Sequence, residues 1–118
     1  MTFEFGDLVA VAFPFTEQSA SKRRPAVVIS GKAYNEAKSD IILAAITSRI
    51  AHADEPGDFA LADWEAAGLL KPSAVKLVVG TFDKQLFRNR FGHLSVADQA
   101  VLRQAIRSMF YDDEPSDA

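Results

Sequence analysis

The 118-residue sequence contains no cysteine, which removes disulfides, thiol nucleophiles and cysteine-based metal sites together and suits a reducing cytoplasm. Histidine is nearly as scarce. The two present, His52 and His93, stand at no spacing that suggests an acid and base pair. Neither a His-Glu-x-x-His pattern nor a metal-binding spacing of paired aspartates appears, so no metal is expected. No run approaches the ~20 apolar residues of a membrane helix, and the start, with Glu4 and Asp7, lacks a signal peptide's basic region. These absences lead to the expectation of a cytoplasmic protein with no cofactor and no membrane partner.

A basic total is missing as well, since the formal net charge is −3. Its distribution matters more. Asp112, Asp113, Glu114 and Asp117 crowd the end of the chain, and residues 1–111 hold thirteen cations against twelve carboxylates, a net +1. From Lys71 to Arg107 seven cations stand against Asp83 and Asp98 alone. Polyanion binding needs such a local patch rather than a basic whole, although an ordinary mixed surface gives the same counts. With 48% hydrophobic and 25% charged residues, residues 1–111 are expected to form one domain. Residues 112–118 are expected to be a disordered acidic tail.

The stretch with the most chemistry is Lys22-Arg23-Arg24-Pro25-Ala26-Val27-Val28-Ile29-Ser30, where three cations lead into a short apolar run. Val and Ile favour a pleated surface, and the run is too short for a core helix. Pro25 fixes its own φ and biases Arg24 towards extended geometry, so the Arg24 guanidinium is held at the mouth of a strand, where it suits a phosphate. A solvated loop accounts for the same three cations. Ile41 to Thr47 is apolar until Thr47, which places the hydroxyls of Thr47 and Ser48 at another strand end; Thr47 is equally at home as a β-branched strand residue.

Further strands are expected at Leu8 to Phe13, Phe59 to Leu61, Ala74 to Val79 and, as a half-exposed edge, Phe87 to Leu94. Thr16 to Arg24 reads as a long loop and Gly31 to Asp40 as a connection marked by Gly, Asn, Ser and Asp. Asp63 is positioned to cap a single helical turn, Trp64 to Ala67; Trp64 reads as a packing residue, with base stacking as the alternative. Ser95-Val96-Ala97-Asp98 resembles a capping box, and Val101, Leu102, Ala105, Ile106, Met109 and Phe110 follow at helical spacing. Five or six short strands and one amphipathic C-terminal helix predict an α+β arrangement, a small, partly closed β-barrel.

Seven blocks carry a resemblance: Gly6-Asp7-Leu8-Val9, Phe13-Pro14-Phe15-Thr16, Arg23 to Ser30, Ala44-Ala45-Ile46-Thr47-Ser48, Gly68 to Lys76, Thr81-Phe82-Asp83-Lys84 and Phe91-Gly92-His93-Leu94-Ser95. In order and spacing they are similar to the MazF/PemK family of toxin endoribonucleases. That resemblance implies an SH3-like barrel and the toxin of a type II toxin–antitoxin system, and with it a homodimer and an acidic antitoxin that is disordered when free. It implies metal-independent, sequence-specific cleavage of single-stranded mRNA by attack of the 2′-hydroxyl, leaving 2′,3′-cyclic phosphate and 5′-hydroxyl ends and inhibiting translation and growth. The family's Arg-Pro arginine falls on Arg24 and its strand-ending threonine on Thr47. Glu17-Gln18 is similar to an upstream pair in some members and makes Glu17 a candidate base, although it stands seven residues before Arg24, further than in those members. Lys22, Arg23, Ser48, Lys76 and Lys84 are the candidate RNA-binding residues. Gly80 stands where many relatives carry arginine, which leaves Asp83 as a cap or a partner of Lys84. A non-catalytic barrel that binds RNA or a partner peptide is the alternative reading.

Overall fold

In the computed structural model, residues 2–11 and 23–111 are described. Strands β1 (Asp7–Val11), β2 (Arg24–Val28), β3 (Asp40–Thr47), β4 (Phe59–Ala60), β5 (Ala74–Asp83) and β6 (Gly92–His93) form one curled antiparallel sheet in the order β4-β5-β3-β2-β1-β6. Helix α1 (Lys32–Ala37) links β2 to β3, and helix α2 (Val96–Phe110) closes the chain. This is the expected α+β, SH3-like half-barrel. Glu17, Gln18, Lys22 and the acidic tail lie outside the described residues.

Both faces of the sheet are covered, which explains why β1 is apolar at consecutive positions. Val9, Val11, Ala26, Val28, Ile41, Leu43 and Ala45 pack on one face with Phe3 and Phe87. Leu8, Val27, Ala44, Ile46 and Val75 pack on the other with Leu69, Leu94 and Leu102. Trp64, partly buried, packs against this second core.

Four expectations about elements are corrected. The Gly31–Asp40 connection contains α1, and Asn35, which reads as a loop marker, is buried and ties the helix down: its amide donates to the carbonyls of Phe3 and Ser30 at 2.9 and 3.0 Å. β5 runs on through Gly80 to Asp83, because pairing with β3, Leu43 opposite Gly80, outweighs the glycine's low strand preference. The edge strand from Phe87 to Leu94 shrinks to Gly92–His93. Residues 64–67 form turns rather than a helix.

The helix start at Ser95 has a further use. Ser95 Oγ accepts from the Asp98 N–H at 3.1 Å, as an N-cap should. The Asp98 carboxylate does not reach back to Ser95 but receives the N–H groups of Ala62 and Asp63 at 3.0 and 2.8 Å, while only 2% of Asp98 is exposed. This pins the 62–71 segment to α2. Asp98→Ala removes the buried acceptor of two partly buried N–H groups and is expected to cost about 2 kcal/mol, read as a lower denaturant midpoint at unchanged slope; a midpoint equal to wild type would refute the pin.

Candidate active site

Alternation along the strands decides where the predicted residues point. Arg24 follows the parity of Ala26 and Val28, Thr47 that of Leu43 and Ala45, and all four apolar residues belong to the first core. Ala26 pairs with Ala45, and the same register carried two residues further sets Arg24 across from Thr47. The two strand ends meet at the rim of the sheet.

Lys76 joins them through an irregularity. Ala44 pairs with Val79, but its neighbour Ala45 pairs with Lys76, so Leu77 and Val78 form a bulge in β5. Bulges re-aim side chains, and here Lys76 comes to the face of Ala45. The orphaned N–H of Leu77 is met by Asp58 Oδ1 at 2.9 Å, and Asp58 Oδ2 stands 3.5 Å from the Lys76 ammonium, which also donates to the His52 carbonyl.

Arg24, Thr47 and Lys76 line one cavity of about 750 Å³ that wraps over this end of the sheet. Arg23, Arg49 and Lys71 line it too, and its described lining contains no carboxylate. Five cations, of which Lys76 alone has a carboxylate partner among the described residues, make a site for an anion. Arg24 is half-buried and has no carboxylate partner among the described residues, so its fork of donors stays available. Thr47 Oγ1 accepts the Arg49 N–H at 3.0 Å, which leaves the hydroxyl hydrogen to donate into the cavity. Ser48 lines the same space. The lining also has an apolar part: Pro25, Ile46, Leu69, Phe91 and Leu70, the last 94% exposed.

Not every candidate is there. Lys84 is outside the cavity lining and donates to the Asn35 carbonyl, tying β5 to α1. Asp83 accepts from the Gln85 N–H at 2.9 Å and caps a short 3₁₀ turn. Gly80 lies in mid-strand, opposite Leu43, and outside the lining. Arg49, His52, Leu70, Lys71 and Phe91 line the site but carried no signal of their own. His93 is held elsewhere: its Nδ1 lies 2.6 Å from Asp7 Oδ1, and the same fully buried carboxylate holds Arg90 Nη1 at 3.3 Å and the Glu4 N–H at 2.8 Å. That cluster fastens β6 to β1, away from the cavity.

Residues 4–110 match the model of the PemK-like, MazF-like toxins of type II toxin–antitoxin systems. The chain belongs to this family. Among solved structures, the MazF–like fold of this toxin is shared with the Mycobacterium tuberculosis toxin MazF-mt6 (17% identity, TM-score 0.70, 88% of this chain and 95% of that one). It is shared with MazF in a MazE–MazF crystal from Deinococcus radiodurans (23% identity, TM-score 0.68, 92% and 95%). An endoribonuclease from a mycobacterial species, solved in complex with its cognate antitoxin, also matches (15% identity, TM-score 0.69, 91% of each chain). No curated protein sequence matches. Among the described residues of this PemK-like toxin no helix is long and apolar enough to cross a membrane.

Proposed function

We propose that this toxin is a metal-independent endoribonuclease that cuts single-stranded mRNA in the cytoplasm and so stops translation and growth. The observation that carries it is the convergence of Arg24, Thr47 and Lys76 on a cationic cavity at the sheet rim. RNA supplies its own nucleophile. When the ribose 2′-oxygen attacks phosphorus and the 5′-oxygen leaves, the protein must stabilise a pentacoordinate phosphorane carrying extra negative charge. The Arg24 guanidinium offers two parallel donors to its oxygens, the Thr47 hydroxyl a third, and Lys76 a point charge; preorganised donors act where charge develops. A donor set of guanidinium, ammonium and hydroxyl groups supports the metal-independent form.

The substrate is read as unpaired because bases must be splayed out to reach the apolar side of the cavity at Leu70 and Phe91. The relatives solved with a cognate antitoxin and with MazE support an antitoxin partner, the charge of the cavity favours an acidic segment of it as competitor with RNA, and the toxin is read as a homodimer with residues 1–111 as its one domain. Incubation of a long RNA with the protein in EDTA is expected to give discrete fragments with 5′-hydroxyl ends. A mobility shift without cleavage would instead identify the non-catalytic RNA-binding barrel.

Arg49 and Lys71 are placed to meet backbone phosphates beside the scissile one. Each alanine variant is expected to lower the salt dependence of RNA binding, the slope of log K against log salt, by about 0.7. An unchanged slope in a titration of 50 to 200 mM salt would remove that cation from the interface.

A further inference from the structure

Phosphodiester cleavage by the 2′-hydroxyl requires a group to take its proton, and the residues that hold the phosphate are badly suited to that. A guanidinium is almost never neutral near pH 7, and Lys76 is engaged by Asp58 and by the His52 carbonyl. Thr47 is a hydroxyl no more basic than the one it faces. Of the described side chains that line the cavity, one is of the type that ordinarily moves protons near neutrality, and it belongs to His52.

His52 is exposed, but its backbone is held. It ends the 3₁₀ turn Ile50–His52 directly after β3, five positions beyond Thr47. Its N–H donates to the Arg49 carbonyl at 2.8 Å, the Arg49 N–H is in turn anchored on Thr47 Oγ1 at 3.0 Å, and its carbonyl accepts from Lys76. The turn is therefore tied to both of the residues that flank the phosphate site. The imidazole makes no hydrogen bond to another described residue, in contrast to that of His93, whose two nitrogens meet Asp7 and Gln99. One histidine is committed to structure; the other lines the cationic cavity, and its ring has no partner among the described residues.

We propose that His52 is the general base of the cleavage reaction, an inference that rests on the ribonuclease reading. Its neutral ring nitrogen takes the 2′-hydroxyl proton as the 2′-oxygen forms its bond to phosphorus. The phosphorus–5′-oxygen bond breaks, and the leaving oxygen takes a proton from Arg24, or from water oriented by it. The products are a 2′,3′-cyclic phosphate and a 5′-hydroxyl. The imidazolium then loses its proton to solvent, Arg24 regains one, and no net proton, electron or metal ion is consumed.

The experiment is chemical rescue. His52→Ala is expected to cleave a single-stranded RNA at a kcat lowered about a hundredfold or more, the usual contribution of a positioned base, with KM within a few-fold of wild type. Added imidazole is expected to restore a substantial part of kcat in a saturable manner and to leave wild type unaffected. Thermal melting of the variant establishes that it folds, and Arg24→Ala serves as the control that imidazole does not rescue. If wild type cleaves and His52→Ala cleaves equally well, or loses activity that imidazole fails to restore while its fold is intact, the base assignment is wrong. If wild type itself does not cleave, the ribonuclease reading fails first, and independently of His52.

Discussion

Arg24→Ala is expected to lower the rate of RNA cleavage by at least about a hundredfold, the usual effect of removing one preorganised donor from a developing oxyanion, while the melting temperature stays within about 2 °C of wild type. The asymmetry between the two readouts follows from the position. Arg24 is the first residue of β2, and its guanidinium is directed to the cavity rather than into a core or an ion pair. Its removal creates no buried void and strands no carboxylate among the described residues. Arg24→Lys keeps the charge but loses the planar fork, and should recover only part of the rate. Cleavage by Arg24→Ala at the wild-type rate on single-stranded RNA would end the proposal that this cavity is the active centre.

Gly92→Ala should have the largest effect on stability. A β-carbon at Gly92 would lie 1.8 Å from the Ala67 carbonyl oxygen and 2.9 Å from its carbon. Both obstacles are backbone, which cannot rotate aside as a side chain can. Gly68, at φ +101°, completes the contact, since a β-carbon there would press on the Phe91 carbonyl at 3.1 Å. Accommodation requires β6 to separate from the 62–71 segment, at a cost of about 3 kcal/mol or more, and a fall in melting temperature of more than about 10 °C. The apolar wall carrying Leu69 and Leu70 moves with that segment, so weaker RNA binding should accompany the lower melting point. A Gly92→Ala protein that melts within about 3 °C of wild type would show that the two backbones do not meet as described.

How far the fold could be read in the sequence depended on the range of the interaction that decides each feature. Arg24 was legible because its constraint is local: a proline follows it, and a short β-branched run follows the proline. Thr47 was legible because an apolar run ends on it, and antiparallel pairing of neighbouring strands then brings the two together. The C-terminal helix was visible from its period and its cap. Features set by distant contacts were not. Asn35 looks like a loop residue until Phe3, thirty-two positions away, supplies the carbonyl its amide needs. His93 has no visible partner until the fold delivers Asp7 from eighty-six positions upstream. Lys76 sits in the best alternating strand of the sequence, and nothing in that alternation announces the bulge that turns it towards the cavity. His52 lies in a polar stretch punctuated by Pro-Gly; its place beside the phosphate site comes from the link between its carbonyl and Lys76.

The β5 bulge has a consequence for solution behaviour. Beyond Ala74 and Val75, which pair with β4, no described strand runs along the outer side of β5, and an open margin of that length invites a neighbouring molecule to add a strand of its own. The two-residue bulge bends this margin, Asp58 occupies one of its amides, and the charged Lys76 sits at the bend. Straightening β5 by deleting Leu77 and Val78 would therefore do more than misplace a lysine: it would turn a guarded flank into a template for self-association.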